Sequence, residues 1–293
     1  IATRWFVARR GLVIGMLTAS VATGQLAFLP LLATITERYG WRVALGFVCV
    51  MLGVAAFAVL MLMRDRPSDV GLRPFGDNGT APLPAPPPAN APIMAAALGT
   101  LRESSKSSVF WILFATFFVC GASTNGLVQV HLIPMCLDFG IPQVQAASLL
   151  AAMGIFDFFG TIISGWLSDR YDNRYLLFWY YGLRGLSLLY LPYSDFTFYG
   201  LSLFAMFYGL DWIATVPPTV RLTAQRFGAE RANLVFGWIF AGHQLGAGAA
   251  AFGAGVSRTV YSSYLPAFFI AGALCVCAAL ITLAIARPDR RAH

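Results

Sequence analysis

From Val43 to Met63 the chain runs without one charged or strongly polar side chain. A run of about 20 apolar residues, coiled as a helix, matches the ~30 Å hydrocarbon core of a bilayer. In lipid the backbone must satisfy its own hydrogen bonds, so only a helix or a closed barrel will serve. Barrel strands show as short alternating segments, whereas long continuous runs recur here. Eight spans are expected, at Gly11–Thr36, Trp41–Met63, Val109–Leu137, Gln143–Ser168, Tyr175–Pro192, Phe196–Gln225, Ala232–Val256 and Tyr264–Ala286. Composition agrees: 58% of residues are hydrophobic, 11% are charged and the mean hydropathy is +0.69. A soluble domain carries about a quarter charged residues. The expected fold class is an all-α integral membrane bundle.

The net charge of +7 would suggest nucleic acid in a soluble protein. Here the basic residues cluster between spans. With eight spans, both ends face one side. Of the 20 Lys and Arg, only Arg38, Arg42 and Arg258 fall on the opposite side, and Arg184 falls inside a span. Basic loops stay in the cytoplasm, so both ends are expected there and no nucleic-acid partner is expected. The 5 cysteines lie in apolar stretches without metal or disulfide spacing and read as packing residues.

Residues 64–107 separate two spans from six. They contain PLPAPPPANAP, whose prolines favour an extended spacer. A short surface helix is expected near 93–107. The division is therefore 1–63, two spans of one bundle; 64–107, a cytoplasmic linker; and 108–293, a six-span bundle. Six spans in two groups of three form the half-unit of many secondary transporters. The chain opens on Ile1 with a loop-like IATRWFVARR. The expectation is that it starts partway through a longer protein, with four spans ahead of Ile1.

Charges inside spans are costly and mark candidate functional positions. Asp157 and Arg184 fall near mid-span, with Asp211 in the sixth span, His243 and Gln244 in the seventh, and Asn125 in the third. Either acid can be read as a structural ion-pair partner of Arg184, whose helix lies between theirs in sequence. Either can also be read as a protonatable or substrate-facing group. One arginine cannot fully neutralise two carboxylates, so one acid should be left for protonation. His243 reads as a neutral, hydrogen-bonded imidazole or as a proton relay. His131 is expected at an entrance or loop, and Arg221 as a snorkelling side chain. Pro217 and Pro218 should kink the sixth span. Gly242 with Gly246, and Ala249 with Gly253, form small-residue faces for close helix approach.

Gly165, Leu167, Asp169 and Arg170, with Arg174 as a terminal cation, resemble the G-x-L-x-D-R-x-G-R-K loop of the major facilitator superfamily. Asp172 stands where that loop has glycine and Asn173 where it has arginine. At the start, Trp5, Phe6, Arg9, Arg10, Leu12, Gly15 and Ala19 are similar to the entry of the fifth span in the monocarboxylate porter and oxalate/formate antiporter branch. RDRPSDVGLRPFG resembles the linker of bacterial members. The resemblance implies spans five to twelve of twelve and a midplane cavity lined by the third, fourth, sixth and seventh spans of this chain. It also implies a gate loop at Gly165, Asp169, Arg170 and Arg174, with Asp169 and nearby arginines latching the cytoplasmic side. The branch has an acid followed four residues later by an arginine that meets a substrate carboxylate. Asp157 matches the acid, but Thr161 stands at the arginine position.

The resulting expectation is a proton-coupled secondary transporter of a small organic anion in a bacterial inner membrane, working by alternating access without cofactor or metal. Asn125, Asp157, Asp211, His243 and Gln244 would line its substrate or proton pathway, with Arg184 in a structural pair. An integral-membrane enzyme would gather polar catalytic residues at one membrane face, and no such cluster is apparent. A membrane sensor or a non-transporting fragment is the other alternative.

Overall fold

The computed structural model describes residues 5–6, 10–64, 67–77 and 93–285. The PLPAPPPANAP stretch and the basic residues Arg4, Arg9, Arg66, Arg287, Arg290 and Arg291 lie outside them. The chain divides between residues 91 and 92 into two compact units. Among the described residues no strand forms, and one isolated bridge joins Phe6 and Phe75.

The first unit holds α1 (Arg10–Tyr39) and α2 (Trp41–Leu62), which pack on one another. Gly40 turns the chain between them at φ 84°, a conformation that glycine adopts without a Cβ penalty. Most apolar side chains of α2 point outward, among them Val50, Leu52, Val54, Phe57, Leu60 and Leu62. Such a surface is stable in lipid and not in water. The Trp5 indole N–H donates to the Arg64 carbonyl (3.0 Å), and Phe75 N–H donates to the Trp5 carbonyl (2.8 Å).

The second unit begins with α3 (Ile93–Ser104), the expected short helix. The Trp238 indole N–H donates to the Ala97 carbonyl (3.0 Å), and Arg231 pairs with Glu103. The next span is one continuous rod built from α4 (Ser108–Gly121), a π-helical stretch (Ala122–Val128) and α5 (Gln129–Asp138). Then come α6 (Gln143–Arg170), α7 (Asn173–Tyr190), α8 (Phe198–Asp211), α9 (Val216–Phe227), α10 (Ala229–Tyr261) and α11 (Leu265–Thr282).

Among the described residues, six helical runs are long and apolar enough to cross a membrane: α2, α4–α5, α6, α8–α9, Arg231–Tyr261 of α10, and α11. The expected first and fifth spans coincide with α1 and α7, which are helical but not in that set. In α7 the cause is visible in Arg174, Arg184 and several tyrosines.

Close backbone approach organises the bundle. A Cβ at Gly160 of α6 would collide with the Leu210 carbonyl of α8, and one at Gly209 of α8 would sit 2.7 Å from the Met153 carbonyl of α6. Across α10, a Cβ at Gly246 would collide with the Phe118 carbonyl, and one at Gly121 with the His243 carbonyl. The expected small-residue face therefore divides. Gly242 and Gly246 pack on α4, while Ala249 and Gly253 line an apolar cavity of about 340 Å³ between α10, α11 and the end of α4.

Candidate functional site

The site grows from a break in one span. Pro217 and Pro218 lack N–H groups, so the carbonyls of Ile213 and Ala214, four residues earlier, lose their helical donors. The helix opens over Trp212–Thr215, just before the prolines rather than at them. At membrane depth every freed backbone group needs another partner. Trp212 N–H reaches back only three residues, to the Gly209 carbonyl (3.0 Å), and Val216 N–H likewise bonds Ile213 (2.9 Å). Among the groups this leaves are the carbonyls of Asp211, Trp212 and Ala214 and the N–H of Ile213.

Side chains of two neighbouring helices supply the missing partners. Arg184 of α7 donates through Nη2 to the Asp211 and Trp212 carbonyls (2.5 and 3.1 Å) and through Nε to Asp211 Oδ2 (2.7 Å). Its Nη1 donates to Cys120 Sγ (3.1 Å), which lies 3.4 Å from Thr215 Oγ1. Ser164 of α6 donates to the Ala214 carbonyl (2.5 Å). Asp157 of α6 accepts at Oδ1 from the Ile213 N–H (2.9 Å) and from Thr161 Oγ1 (3.1 Å). Arg184 and Asp211 are 1% and 6% exposed, whereas Asp157 is half-buried. The single arginine is thus committed to Asp211, and Asp157 is the acid left without a cation. Asp211 Oδ1 is buried and has no hydrogen-bond partner.

His243 sits at the same level. Its carbonyl abuts Gly121, the residue after Cys120. Its ring is buried, stacks on Phe240 with centroids 5.2 Å apart, and has Nδ1 3.2 Å from Gln244 Oε1. Gln244 and Asn125 are exposed on α10 and on the π-helical stretch, which pack against each other. Asn125 Oδ1 accepts from Thr124 Oγ1 (3.2 Å). The structure therefore gathers Asp157, Asp211, Arg184 and His243 around one level of the bundle and leaves Asn125 and Gln244 at its surface. His131, expected at an entrance, is instead helical and buried, with Nε2 2.9 Å from the Ala251 carbonyl. Among the described residues no three His, Cys, Asp or Glu side chains gather to hold a metal.

At the charged turn between α6 and α7 the roles separate. Asp169 pairs with Arg221 of α9, so Arg221 holds a partner rather than only reaching for water. Arg170 folds over the Trp166 ring, 4.1 Å from its centroid. Gly165 has open space where a Cβ would stand. Asp172 caps α7 by accepting from Arg174 N–H (3.1 Å) and from its guanidinium. These bonds from Asp172 hold the Arg174 pKa above its ordinary value. Arg174 is buried and also donates to the Ile285 carbonyl (2.9 Å). Asn173 accepts at Oδ1 from Ser168 Oγ (2.5 Å). The two departures from the expected loop pattern are thus a helix cap and a turn clasp.

Residues 1–251 match the model of the Major Facilitator Superfamily. The chain belongs to that superfamily. Similar proteins include an uncharacterized MFS-type transporter, YcxA, of Bacillus subtilis, 25% identical over 89% of this chain and 60% of its own length. Monocarboxylate transporter 12-B of Danio rerio is 27% identical over 73% of the chain and 48% of its length. Monocarboxylate transporter 13 of Bos taurus is 27% identical over 96% and 62%. The chain spans about half to three fifths of these relatives. As a major facilitator protein it is a multi-pass membrane protein of a helical transporter family, which agrees with its apolar helices.

Cys120, Ser164 and Tyr208, whose hydroxyl donates to the Ser123 carbonyl (2.8 Å), were not among the expected site residues. A signal for Ser164 was present. Asp157, Thr161 and Ser164 recur at i, i+4 and i+7, the spacing of one helix face, and the proline pair announces freed backbone groups that such a face can serve.

Proposed function

We infer that the protein is a secondary active transporter that carries a small organic anion together with a proton across a bacterial inner membrane by alternating access. The observation that carries this reading is the convergence of Asp157 and the Arg184–Asp211 pair on the broken span at Trp212–Thr215. Discontinuous helices near the midplane are where secondary transporters build substrate and ion sites. The names of the monocarboxylate transporter relatives support the substrate class.

Asp157 is the group assigned to the proton. It is half-buried, its acceptor face meets a backbone N–H and a hydroxyl, and no cation bonds it. A substrate carboxylate approaching an ionised Asp157 is repelled, and protonation removes the repulsion. Proton and anion then enter as a neutral sum. The proton replaces the positive charge that the branch places at the position of Thr161. Arg184 and Asp211 act as a structural pair. Asn125, His243 and Gln244 supply polar contacts to substrate or relay the proton. Asp169 with Arg221 latches the cytoplasmic end, and the basic loops keep both chain ends in the cytoplasm. The chemistry is binding and movement, with no covalent step.

The test is uptake of a radiolabelled small monocarboxylate in cells making the protein, with and without an inward proton gradient. Uptake should rise with the gradient and collapse with a protonophore. Asp157→Asn should lose at least tenfold of the gradient-driven component. Wild-type uptake indifferent to the protonophore, or an Asp157→Asn variant with unchanged pH dependence, overturns the coupling.

A further inference from the structure

The broken span turns one freed N–H, that of Ile213, toward a titratable side chain. We propose that the hydrogen bond from Ile213 N–H to Asp157 is a proton-sensitive latch, through which protonation of Asp157 loosens the α8–α9 joint. This rests on the proton role given to Asp157 above and adds the backbone contact on which the proton acts.

The geometry isolates this contact. Three freed carbonyls of the joint are bound by partners that do not titrate near neutral pH: the Arg184 guanidinium on the Asp211 and Trp212 carbonyls, and the Ser164 hydroxyl on Ala214. Among these bonds, only that of Ile213 ends on a group whose charge can change. An N–H bonded to a carboxylate is about twice as strong as one bonded to a neutral oxygen. Protonation therefore weakens the bond without abolishing it, and the joint opens more often. Pro217 and Pro218 offer no N–H with which α9 can close the break by itself. The opening is thus confined to the four residues of the joint.

Other titratable groups surround the joint: Cys120 Sγ lies 3.4 Å from Thr215 Oγ1, and the buried Tyr180 and Tyr181 hydroxyls of α7 have no hydrogen-bond partner. Arg184 of α7 and Asp211 of α8 bind each other, and the Tyr208 hydroxyl of α8 is bound to the Ser123 carbonyl. On α5, His131 is bound to the Ala251 carbonyl and Asp138 to Arg258. On α9, Arg221 is bound to Asp169 at the far end of α6, and Arg226 lies in the last turn. On α7, Arg174 is bound to Asp172. Comparison with Asp157→Asn assigns a pH response at Ile213 to Asp157 rather than to these groups.

Amide hydrogen exchange on the purified protein tests the latch. Peptides spanning residues 208–220 are followed between pH 5 and 8 and corrected for the intrinsic pH dependence of exchange. In the wild type the protection of the Ile213 amide should fall about fivefold toward acid pH. Asp157→Asn presents a neutral acceptor, so protection should stay at the acid-like value throughout. Asp157→Ala should lose it at every pH while Leu201–Tyr208 stays protected, which separates loss of the latch from unfolding. Wild-type protection that is flat with pH, or an Asp157→Asn variant that keeps the wild-type profile, overturns the latch. Its failure is distinct from failure of proton coupling. Flat protection beside uptake that still needs Asp157 removes the latch alone. Protection governed by Asp157 beside proton-independent uptake supports the latch and removes the coupling.

Discussion

Arg184 and Asp211 face each other across two helices with Nε and Oδ2 2.7 Å apart, both side chains almost wholly removed from solvent. The same guanidinium caps two carbonyls of the broken span. Breaking a buried pair from one side strands the other charge at a cost of about 3–5 kcal/mol. Arg184→Leu should therefore melt well below the wild type, as read by tryptophan fluorescence in detergent. Arg184→Leu combined with Asp211→Leu should recover part of the loss, and only part, because the Asp211 and Trp212 carbonyls stay unpaired. A double variant no more stable than the single one would contradict the pairing.

Gly160 and Gly209 let α6 and α8 touch through their backbones. Gly160→Ala should destabilise by about 1–3 kcal/mol, because the neighbouring atom is a carbonyl that cannot rotate away. Gly248→Ala meets nothing within 4 Å and lies in the same kind of helix interior. It should be neutral or slightly stabilising. Equal melting temperatures for the two variants would disprove the close approach.

Asp169 and Arg221 form their pair with side chains 66% and 41% exposed. Exposed pairs contribute about 0–1 kcal/mol. Arg221→Ala should leave the melting temperature within about a degree or two of wild type, while uptake changes if the pair latches one end of the transporter. A large loss of stability would assign the pair to the fold instead.

Asp172 replaces the glycine of the family loop and caps α7. Asp172→Gly, which restores the family residue, should cost stability here, because it also strips Arg174 of its carboxylate. The cap contributes about 0.5–2 kcal/mol. Helicity and melting of the Asp172→Gly variant check this. A variant as stable as the wild type would show that the Ile285 carbonyl alone holds Arg174.

Spans were legible because lipid demands long apolar runs, and α2 needs no neighbour to be recognised as one. The buried charges were legible as well, since Asp157, Arg184 and Asp211 interrupt such runs. Their pairing was not. Both acids lie on helices adjacent in sequence to that of Arg184, and periodicity alone does not say which one its guanidinium meets. His131 was misplaced for a related reason. Pro134 lies three residues on, and by local chemistry a proline favours a loop, but the helix continues through it and buries the ring against α10.

The amino-acid order by itself determined a helical membrane protein with a proline-broken span and too few buried cations for its acids. These follow from local chemistry: hydropathy over about 20 residues, the missing N–H of proline, and the cost of charge in lipid. The tertiary structure alone decided that Arg184 neutralises Asp211, that Asp157 holds the Ile213 amide, and that Cys120 and Ser164 complete the joint. Those contacts join residues dozens of positions apart. They depend on how closely α6, α7 and α8 approach, and glycines such as Gly160 and Gly209 set that distance only when the helices meet.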